Sequence, residues 1–192
     1  MKPPAARGSR ARMIEATIEL MRGSGLTGAG INDIVRKSGA PKGSVYHFFP
    51  NGKLQIATEA LAIYSQRVRD FIDQALAGER LPGEKVRALF DAFARRVADG
   101  EFNQSCAVGA VSLDLDDDLE ALRDVLAATL AEWVALIAWH FDLGDTRRTK
   151  SFAGLVVTTI EGAYIRCRAE RSSRPFKEAG AWLAGLVQQH PT

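Results

Sequence analysis

The chain has 192 residues, of which 46% are hydrophobic and 25% charged, the composition of an ordinary globular protein with one domain or two small ones. Polar residues interrupt its apolar runs well short of the ~18 residues that a membrane span needs, and its basic start lacks the apolar core of a signal peptide. We therefore expect a cytoplasmic protein that has no membrane partner.

The formal net charge is only +2, but it is unevenly distributed along the chain. Residues 1–53 carry nine Lys or Arg and three Asp or Glu, a net charge of +6, and the other residues carry a net charge of −4. A basic segment of this kind favours contact with a polyanion. The two cysteines, Cys106 and Cys167, form no C-x-x-C motif, which predicts buried free thiols and neither a disulfide nor a zinc site.

Apolar residues recur at helical intervals of three and four from the start of the chain. In the first part, Gly23 and Gly25 end one helix, Gly39 separates the next two, and Pro41 suits the first turn of the third. The helices predicted in this part cover residues 9–22, 31–38 and 41–48.

Six more helices are predicted after Lys53, and the first of them is long enough to connect two parts of the molecule. No run alternates with a period of two, so the predicted fold is all-α. We expect an N-terminal three-helix helix-turn-helix domain at 7–53 and a helical domain at 54–192. The six helices cover residues 54–78, 86–97, 107–113, 119–140, 148–171 and 175–187.

The third helix mixes aromatic rings with lysine, glycine and serine: residues 38–53 read SGAPKGSVYHFFPNGK. Two helices joined by a tight turn that contains glycine are the arrangement that places the second helix in the DNA major groove. Such a helix buries one face and presents the other to phosphates and base edges. We expect Val45 and Phe48 or Phe49 on the inner face, because rings at this spacing are core more often than stacking platforms. The outer side chains are then Lys42, Ser44, Tyr46 and His47, with Gly43 allowing a close backbone approach.

Residues 10–61 resemble the DNA-binding domain of the TetR family of bacterial transcriptional repressors. The family pattern is R-x-x-I/L-x-x-A, then D-I-A, then G-V-S-K-G-T-L-Y-H-Y-F followed by K-x-x-L. This sequence has Arg10 at the start of the first motif, then Asp33-Ile34-Val35, GAPKGSVYHFF at 39–49 and Lys53-Leu54. The segment SCAVGAVSLDL at 105–115 resembles the LmrA/YxaF-like branch, which includes multidrug and flavonoid-responsive repressors.

The resemblance implies contacts with double-stranded DNA at a palindromic operator. Lys42 and Tyr46 are expected on phosphates and Ser44 near a base edge, and Lys53 is expected to hold a phosphate with help from the start of its helix. The DNA-facing set is Lys42, Gly43, Ser44, Tyr46, His47 and Lys53. The sequence departs from the family at 29 and 30, where Ala29 and Gly30 replace threonines; Gly30 or Thr27 would take the role of helix cap.

In this family the middle helices form a ligand-binding bundle and the last two long helices pair with a second subunit. The resemblance thus implies a homodimer and an apolar or aromatic small-molecule inducer, although the aromatic residues of the bundle, Trp139 among them, are more often core than ligand site. The ligand candidates are Tyr64, Phe90, Phe93, Phe102, Gln104, Cys106, Thr129, Trp133 and Phe152, with Ser105 as a further polar group. The interface candidates are Leu155, Thr159, Gly162, Ala163, Trp182 and Leu186, and small residues among them suit close helix pairing.

Other motifs point to no cofactor and no metal. The acidic stretch at 114–118 lacks the spacing of a calcium loop, and Asp117 with Glu120 fits a helix cap. GLTGAG at 25–30 has no nucleotide-binding order, and the histidines form no hydrolase triad with a nucleophile motif. The sequence thus favours a dimeric, ligand-responsive transcriptional repressor. The alternatives are a constitutive dimeric DNA-binding regulator without an inducer and, less favoured, an enzyme or small-molecule carrier.

Overall fold

The computed structural model describes residues 4–78, 80–116 and 119–188, and every regular element in these ranges is helical. The all-α prediction is therefore confirmed. None of the described helices has the length and apolar character to cross a bilayer. The helices are α1 (Pro4–Ser24), α2 (Ile31–Ser38), α3 (Ser44–Phe48), α4 (Gly52–Leu76), α5 (Pro82–Asp99), α6 (Ala107–Ser112), α7 (Glu120–Trp139), α8 (Thr146–Glu170) and α9 (Arg174–Gln188).

Three of the predicted helix starts are wrong by a few residues: α1 begins at Pro4 and not at residue 9, and local hydrogen bonds explain the other two. Pro41 lies in a turn ahead of α3, because its carbonyl oxygen accepts the Ser44 N–H at 2.9 Å and the helix begins only there. By contrast, α5 begins earlier than predicted. Pro82 fits its first turn, and the Glu84 carboxylate accepts the Leu81 N–H at 3.0 Å.

Contacts divide the chain into two compact units, Met1–Gln66 with Cys106–Leu126, and Arg67–Ser105 with Ala127–Thr192. The first unit thus contains the segment 7–53 and also α6. In its interior α1 packs on α2 and on α6. Met13, Met21 and Ile34 are buried there, as the apolar spacing predicted.

The core of the second unit is a cluster of aromatic rings on α4, α5, α8 and α9. The Phe93 ring stacks nearly parallel on Phe176, with centroids 5.7 Å apart, and meets Tyr164 and Phe71 edge-on. The helix α9 approaches α5 closely, since a Cβ built at Gly180 would lie 2.6 Å from the Cβ of Phe90. Offset and edge-on ring pairs of this kind are favourable beyond their burial.

Burial confirms the prediction for the thiols and corrects one for a tryptophan. Cys106 and Cys167 are both buried and free. Burial raises the pKa of the Cys167 thiol, which disfavours the reactive thiolate. Trp139, expected in the core, is instead 84% exposed, because it is the last residue of α7, where the helical spacing no longer fixes the direction of a buried face.

The loop between α1 and α2 is held by a carboxylate that follows the end of α6. The Asp114 Oδ2 atom accepts the Thr27 N–H at 2.8 Å. Gly25 has φ +66°, and a Cβ there would collide with the Asp114 carboxylate and lie 3.2 Å from the Ala110 carbonyl oxygen. Gly39 also has a left-handed φ of +62°, but a Cβ there would meet nothing within 4 Å.

These two glycines allow a matched test of this contact. Gly39→Ala is expected to lower the free energy of unfolding by about 1–2 kcal/mol, because alanine is strained in a left-handed conformation. Gly25→Ala adds a collision and displaces a charge-assisted hydrogen bond, so its cost is expected to exceed that of Gly39→Ala by at least about 1.5 kcal/mol. Denaturant unfolding of both variants measures the difference. Equal costs would show that Asp114 does not hold the loop.

Candidate nucleic-acid interface

The turn between α2 and α3 is built from backbone hydrogen bonds and one left-handed glycine. Gly39 ends α2 by donating its N–H to the Val35 carbonyl oxygen at 3.0 Å. The chain then turns through residues 40–43, and Val45 donates its N–H to the Lys42 carbonyl oxygen at 3.2 Å as α3 starts. A helix, a tight turn and a second short helix follow one another as the sequence predicts.

The two faces of α3 differ in burial as the residue types predict. Val45, Phe48 and Phe49 are buried, and the Phe48 and Phe49 rings meet edge-on at 6.5 Å. The opposite face presents Tyr46, which is 59% exposed, and His47, whose ring packs edge-on against Phe48 at 5.0 Å. Tyr46 and His47 are therefore the side chains of α3 that are open to contact with a partner molecule.

The residues at the start of α3 differ in their solvent exposure. Lys42 and Gly43 are exposed, and Ser44 is half-buried. The Ser44 hydroxyl donates to the Pro41 carbonyl oxygen at 2.6 Å, so its hydrogen is already used. The lone pairs of that hydroxyl remain, which suits Ser44 to accept a hydrogen bond from a base amino group.

The cations of residues 1–53 differ in whether they already bind another group of the protein. Arg36 pairs with Asp33 on its own helix, Lys37 pairs with Glu19 of α1 at 2.6 Å, and Arg12 donates to the Ser38 carbonyl oxygen. In the described part of the chain, neither Lys42 nor Lys53 has a hydrogen bond or an ion pair at its ammonium group. Of the cations whose side chains the structure describes, these two lysines can therefore take phosphates without breaking an existing contact.

Lys53 stands in the first turn of α4, next to Gly52, which has φ +64°. Unpaired N–H groups and the positive end of the helix dipole favour an anion at such a position. Two N–H groups at this end of the helix are already paired: that of Asn51 donates to the Gln55 side-chain oxygen at 3.1 Å, and that of Gly52 donates to the Phe49 carbonyl oxygen at 2.8 Å. Lys53 is half-buried and adds a positive charge at this helix start.

The acidic stretch after α6 does not form a metal site in the part that can be described. No group of three His, Cys, Asp or Glu within residues 4–78, 80–116 and 119–188 could hold a metal ion. Asp117, expected as a helix cap, lies outside the described residues. Gly30 is the N-cap of α2 without a side-chain hydrogen bond, and the Thr27 N–H is bound by Asp114, a contact that no sequence motif predicts.

The candidate ligand residues are divided between the two units. Tyr64 and Cys106 belong to the first unit, and the other seven belong to the second. Phe90, Phe93, Thr129, Trp133 and Phe152 are buried, whereas Phe102 and Gln104 are half-buried in the loop after α5, as is Ser105. The indole N–H of Trp133 is buried without a hydrogen-bond partner.

Two open grooves of the second unit show where small molecules have room. One, of about 440 Å³, lies between the end of α4 and α5 and contains none of the candidate residues. The other, of about 390 Å³, is lined by Phe152 together with Leu155, Leu186 and Arg148. It therefore joins one candidate ligand residue to two candidate interface residues.

One face of α8 and α9 exposes large apolar side chains. Trp182 is 80% exposed, and Leu155, Ile165 and Leu186 are also exposed. A Cβ at Gly162 would meet nothing within 4 Å, so this part of α8 is open. Thr159 is half-buried, with its hydroxyl bound to the Leu155 carbonyl oxygen. Ala163 is only 5% exposed and faces the interior, so it lies outside this exposed face.

Two family models match the chain. The one described as "Bacterial regulatory proteins, tetR family" matches residues 13–60, and the one described as "Transcriptional regulator LmrA/YxaF-like, C-terminal domain" matches residues 82–181. The chain is 32% identical over 187 residues to the HTH-type transcriptional regulator Rv0196 of Mycobacterium tuberculosis, with 94% of each chain covered. It is 32% identical over 183 residues to the HTH-type transcriptional regulator YxaF of Bacillus subtilis, with 94% of this chain and 96% of that relative covered.

A solved structure has the same fold. It is a cysteine-substituted form of the TetR family transcriptional regulator CifR in complex with 26-bp double-strand operator DNA. The TM-score is 0.77 at 20% sequence identity, over 94% of this chain and 96% of the other. This likeness shows the fold that the chain shares with that protein.

The two free lysines generate a test of this surface. Lys42→Ala and Lys53→Ala are each expected to weaken binding to any DNA duplex and to flatten the dependence of log K on log salt by about one unit, because each removes one phosphate contact. Fluorescence anisotropy over a salt series measures both effects. Lys150→Ala, at an exposed lysine of α8, is the control and is expected to leave the slope unchanged. Unchanged slopes for both variants of the α3–α4 surface would contradict the assignment.

Proposed function

The chain belongs to the TetR family of bacterial regulatory proteins, in its LmrA/YxaF-like branch, and from this membership we propose that it is a ligand-responsive transcriptional repressor. It binds a palindromic operator as a homodimer and leaves it when an apolar or aromatic small molecule binds. The family consists of DNA-binding transcriptional regulators, not of enzymes. The proposal places the protein in the cytoplasm, where bacterial chromosomal DNA lies.

The observation that carries the proposal is the two-faced α3 beside two unpaired lysines. Its buried face fixes the helix, and its outer face offers Tyr46, His47 and the acceptor lone pairs of Ser44. Lys42 and Lys53 then hold phosphates on either side, so that phosphate contacts set the position and Ser44 contributes to the choice of base. In a dimer, two such helices about 34–36 Å apart match successive major grooves on one face of the duplex.

Selection of bound fragments from the region upstream of the protein's own gene tests this function directly. We expect enrichment of a sequence with two inverted half-sites, because a two-fold dimer reads a palindrome. Enrichment of no sequence over random DNA would contradict the function.

Replacing Ser44 by Ala tests its contact with a base edge. This variant is expected to relax the preference at one base pair per half-site by about 1–3 kcal/mol at most.

The exposed face of α8 and α9 supports the dimer. Trp182, Leu186, Leu155 and Ile165 expose apolar surface that a second copy would bury, and a two-fold axis would bring each helix against its own copy. The open space at Gly162 lets a partner helix approach closely. An obligate interface of this type buries more than about 2,000 Å² in total.

Gly162→Leu tests the dimer. Since nothing lies within 4 Å of a Cβ at Gly162, the monomer accommodates leucine, and only a partner helix would collide with it. We expect a folded monomer by light scattering that has lost affinity for the palindrome. Gly23→Leu, at an equally open glycine of α1, is the control and is expected to remain a dimer. A Gly162→Leu dimer with full operator affinity would place the interface elsewhere.

The unpaired indole N–H of Trp133 supports a ligand site in the second unit. A buried donor without an acceptor costs about 1–3 kcal/mol, and buried donors are rarely left unpaired. Thr129, one turn earlier on α7, is also buried. An aromatic molecule that carries a carbonyl or phenolic oxygen would supply the missing acceptor. By binding one state of the protein better than the other, it would shift the equilibrium away from DNA.

Trp133→Phe removes the N–H and retains an aromatic ring. With a panel of hydroxylated flavones as probes, we expect this variant to bind at least about tenfold more weakly, the factor for one lost hydrogen bond. Thermal shift and release from the operator are measured together. Trp139→Phe, at the exposed tryptophan of α7, is the control and is expected to bind normally. Flavones that stabilise the protein without releasing DNA would favour a constitutive regulator.

A further inference from the structure

The carboxylate of Glu59, in the second turn of α4, lies at the centre of a polar network in the first unit. One of its oxygens forms an ion pair with the Arg10 guanidinium of α1, and the other accepts the Gln55 side-chain N–H at 3.0 Å. The Gln55 oxygen in turn accepts the Asn51 N–H at 3.1 Å. Glu59 therefore connects α1 to the backbone just before α4.

The same guanidinium also reaches the end of the recognition helix. The Cζ atom of Arg10 lies 5.1 Å from the centroid of the Phe49 ring. Phe49 is fully buried, its N–H donates to the Val45 carbonyl oxygen at 2.8 Å, and its carbonyl oxygen accepts the Gly52 N–H at 2.8 Å. Because Phe49 is the C-cap of α3, a cation held over its ring bears on the direction of α3.

We propose that Glu59 is a positioning residue for the recognition helix: by fixing Arg10 and Gln55 it holds α1, the end of α3 and the start of α4 as one piece. This inference rests on the proposed docking of α3 on DNA. It also gives a reason for a carboxylate beside a surface meant for a polyanion. The negative charge of Glu59 opposes phosphate binding, and its positioning of α3 offsets that cost.

Glu59→Gln separates positioning from charge, because the two effects have opposite signs. If Glu59 acts only through its charge, the neutral variant binds every duplex more tightly, and the released Arg10 adds to that gain. If Glu59 positions α3, affinity for the selected upstream fragment falls at least about tenfold, the factor for one lost charge-assisted contact, and affinity for a random 30-bp duplex does not fall.

Two further variants make the comparison specific. Glu19→Gln removes the same charge from another ion pair of the first unit, the one with Lys37, and is expected to leave the preference for the upstream fragment over the random duplex unchanged within about twofold. Gln55→Ala changes no charge but breaks the link from Glu59 to Asn51, and is expected to lower the same preference.

Hydrogen exchange of the full-length protein provides a readout that does not depend on any DNA. We expect faster exchange of the backbone amides of residues 44–52 in Glu59→Gln and Gln55→Ala, but not in Glu19→Gln, with α5 and α9 unchanged in all three. Unchanged exchange at 44–52, or equal tightening on both duplexes, would overturn the positioning role. Failure of the wild-type protein to select any fragment would instead overturn the proposed function, and the exchange result would still decide the role of Glu59.

Discussion

The burial of Phe48 and Phe49 at the end of α3 is the interaction on which the candidate DNA surface depends. A helix of five residues has no stability of its own, since nucleation costs more than one turn of hydrogen bonds returns. The two rings, with Val45, bind this turn to the rest of the first unit and so determine which side chains face outward. Tyr46 and His47 are exposed because their neighbours on the other face are buried.

Electrostatics adds a second constraint to the same region. The first 53 residues have a net charge of +6. Most of the cations whose side chains are described, however, bind other groups within the protein. Arg10, Arg12, Arg36 and Lys37 each bond to a carboxylate or a carbonyl of the first unit. Lys42, just before α3, and Lys53, at the start of α4, are not used in this way.

The second unit combines a well-packed aromatic core with features that such a core normally lacks. The rings of Phe71, Phe93, Tyr164 and Phe176 contact one another at favourable angles. By contrast, Trp133 buries a donor without an acceptor. Trp182 leaves most of its ring in solvent. A buried donor without an acceptor and an exposed aromatic ring are expected where a protein binds a ligand or a second subunit, because that partner completes the contacts.

The sequence by itself determined the helical class, the helix-turn-helix segment and the family, because helical spacing and the GAPKGSVYHFF motif are local properties of the chain. It also predicted the inner face of α3 correctly, since a burial pattern of period 3.6 is visible in residue types. Only the tertiary structure decided which cations are free, that Asp114 binds the Thr27 N–H, that Ala163 is buried and that Trp139 is exposed. These facts depend on pairs of residues far apart in sequence, such as Glu59 and Arg10, and on helix ends, where the periodic signal stops. A local sequence pattern predicts neither the contacts between distant residues nor the exposure of a side chain at a helix end, because both are decided by how the helices pack.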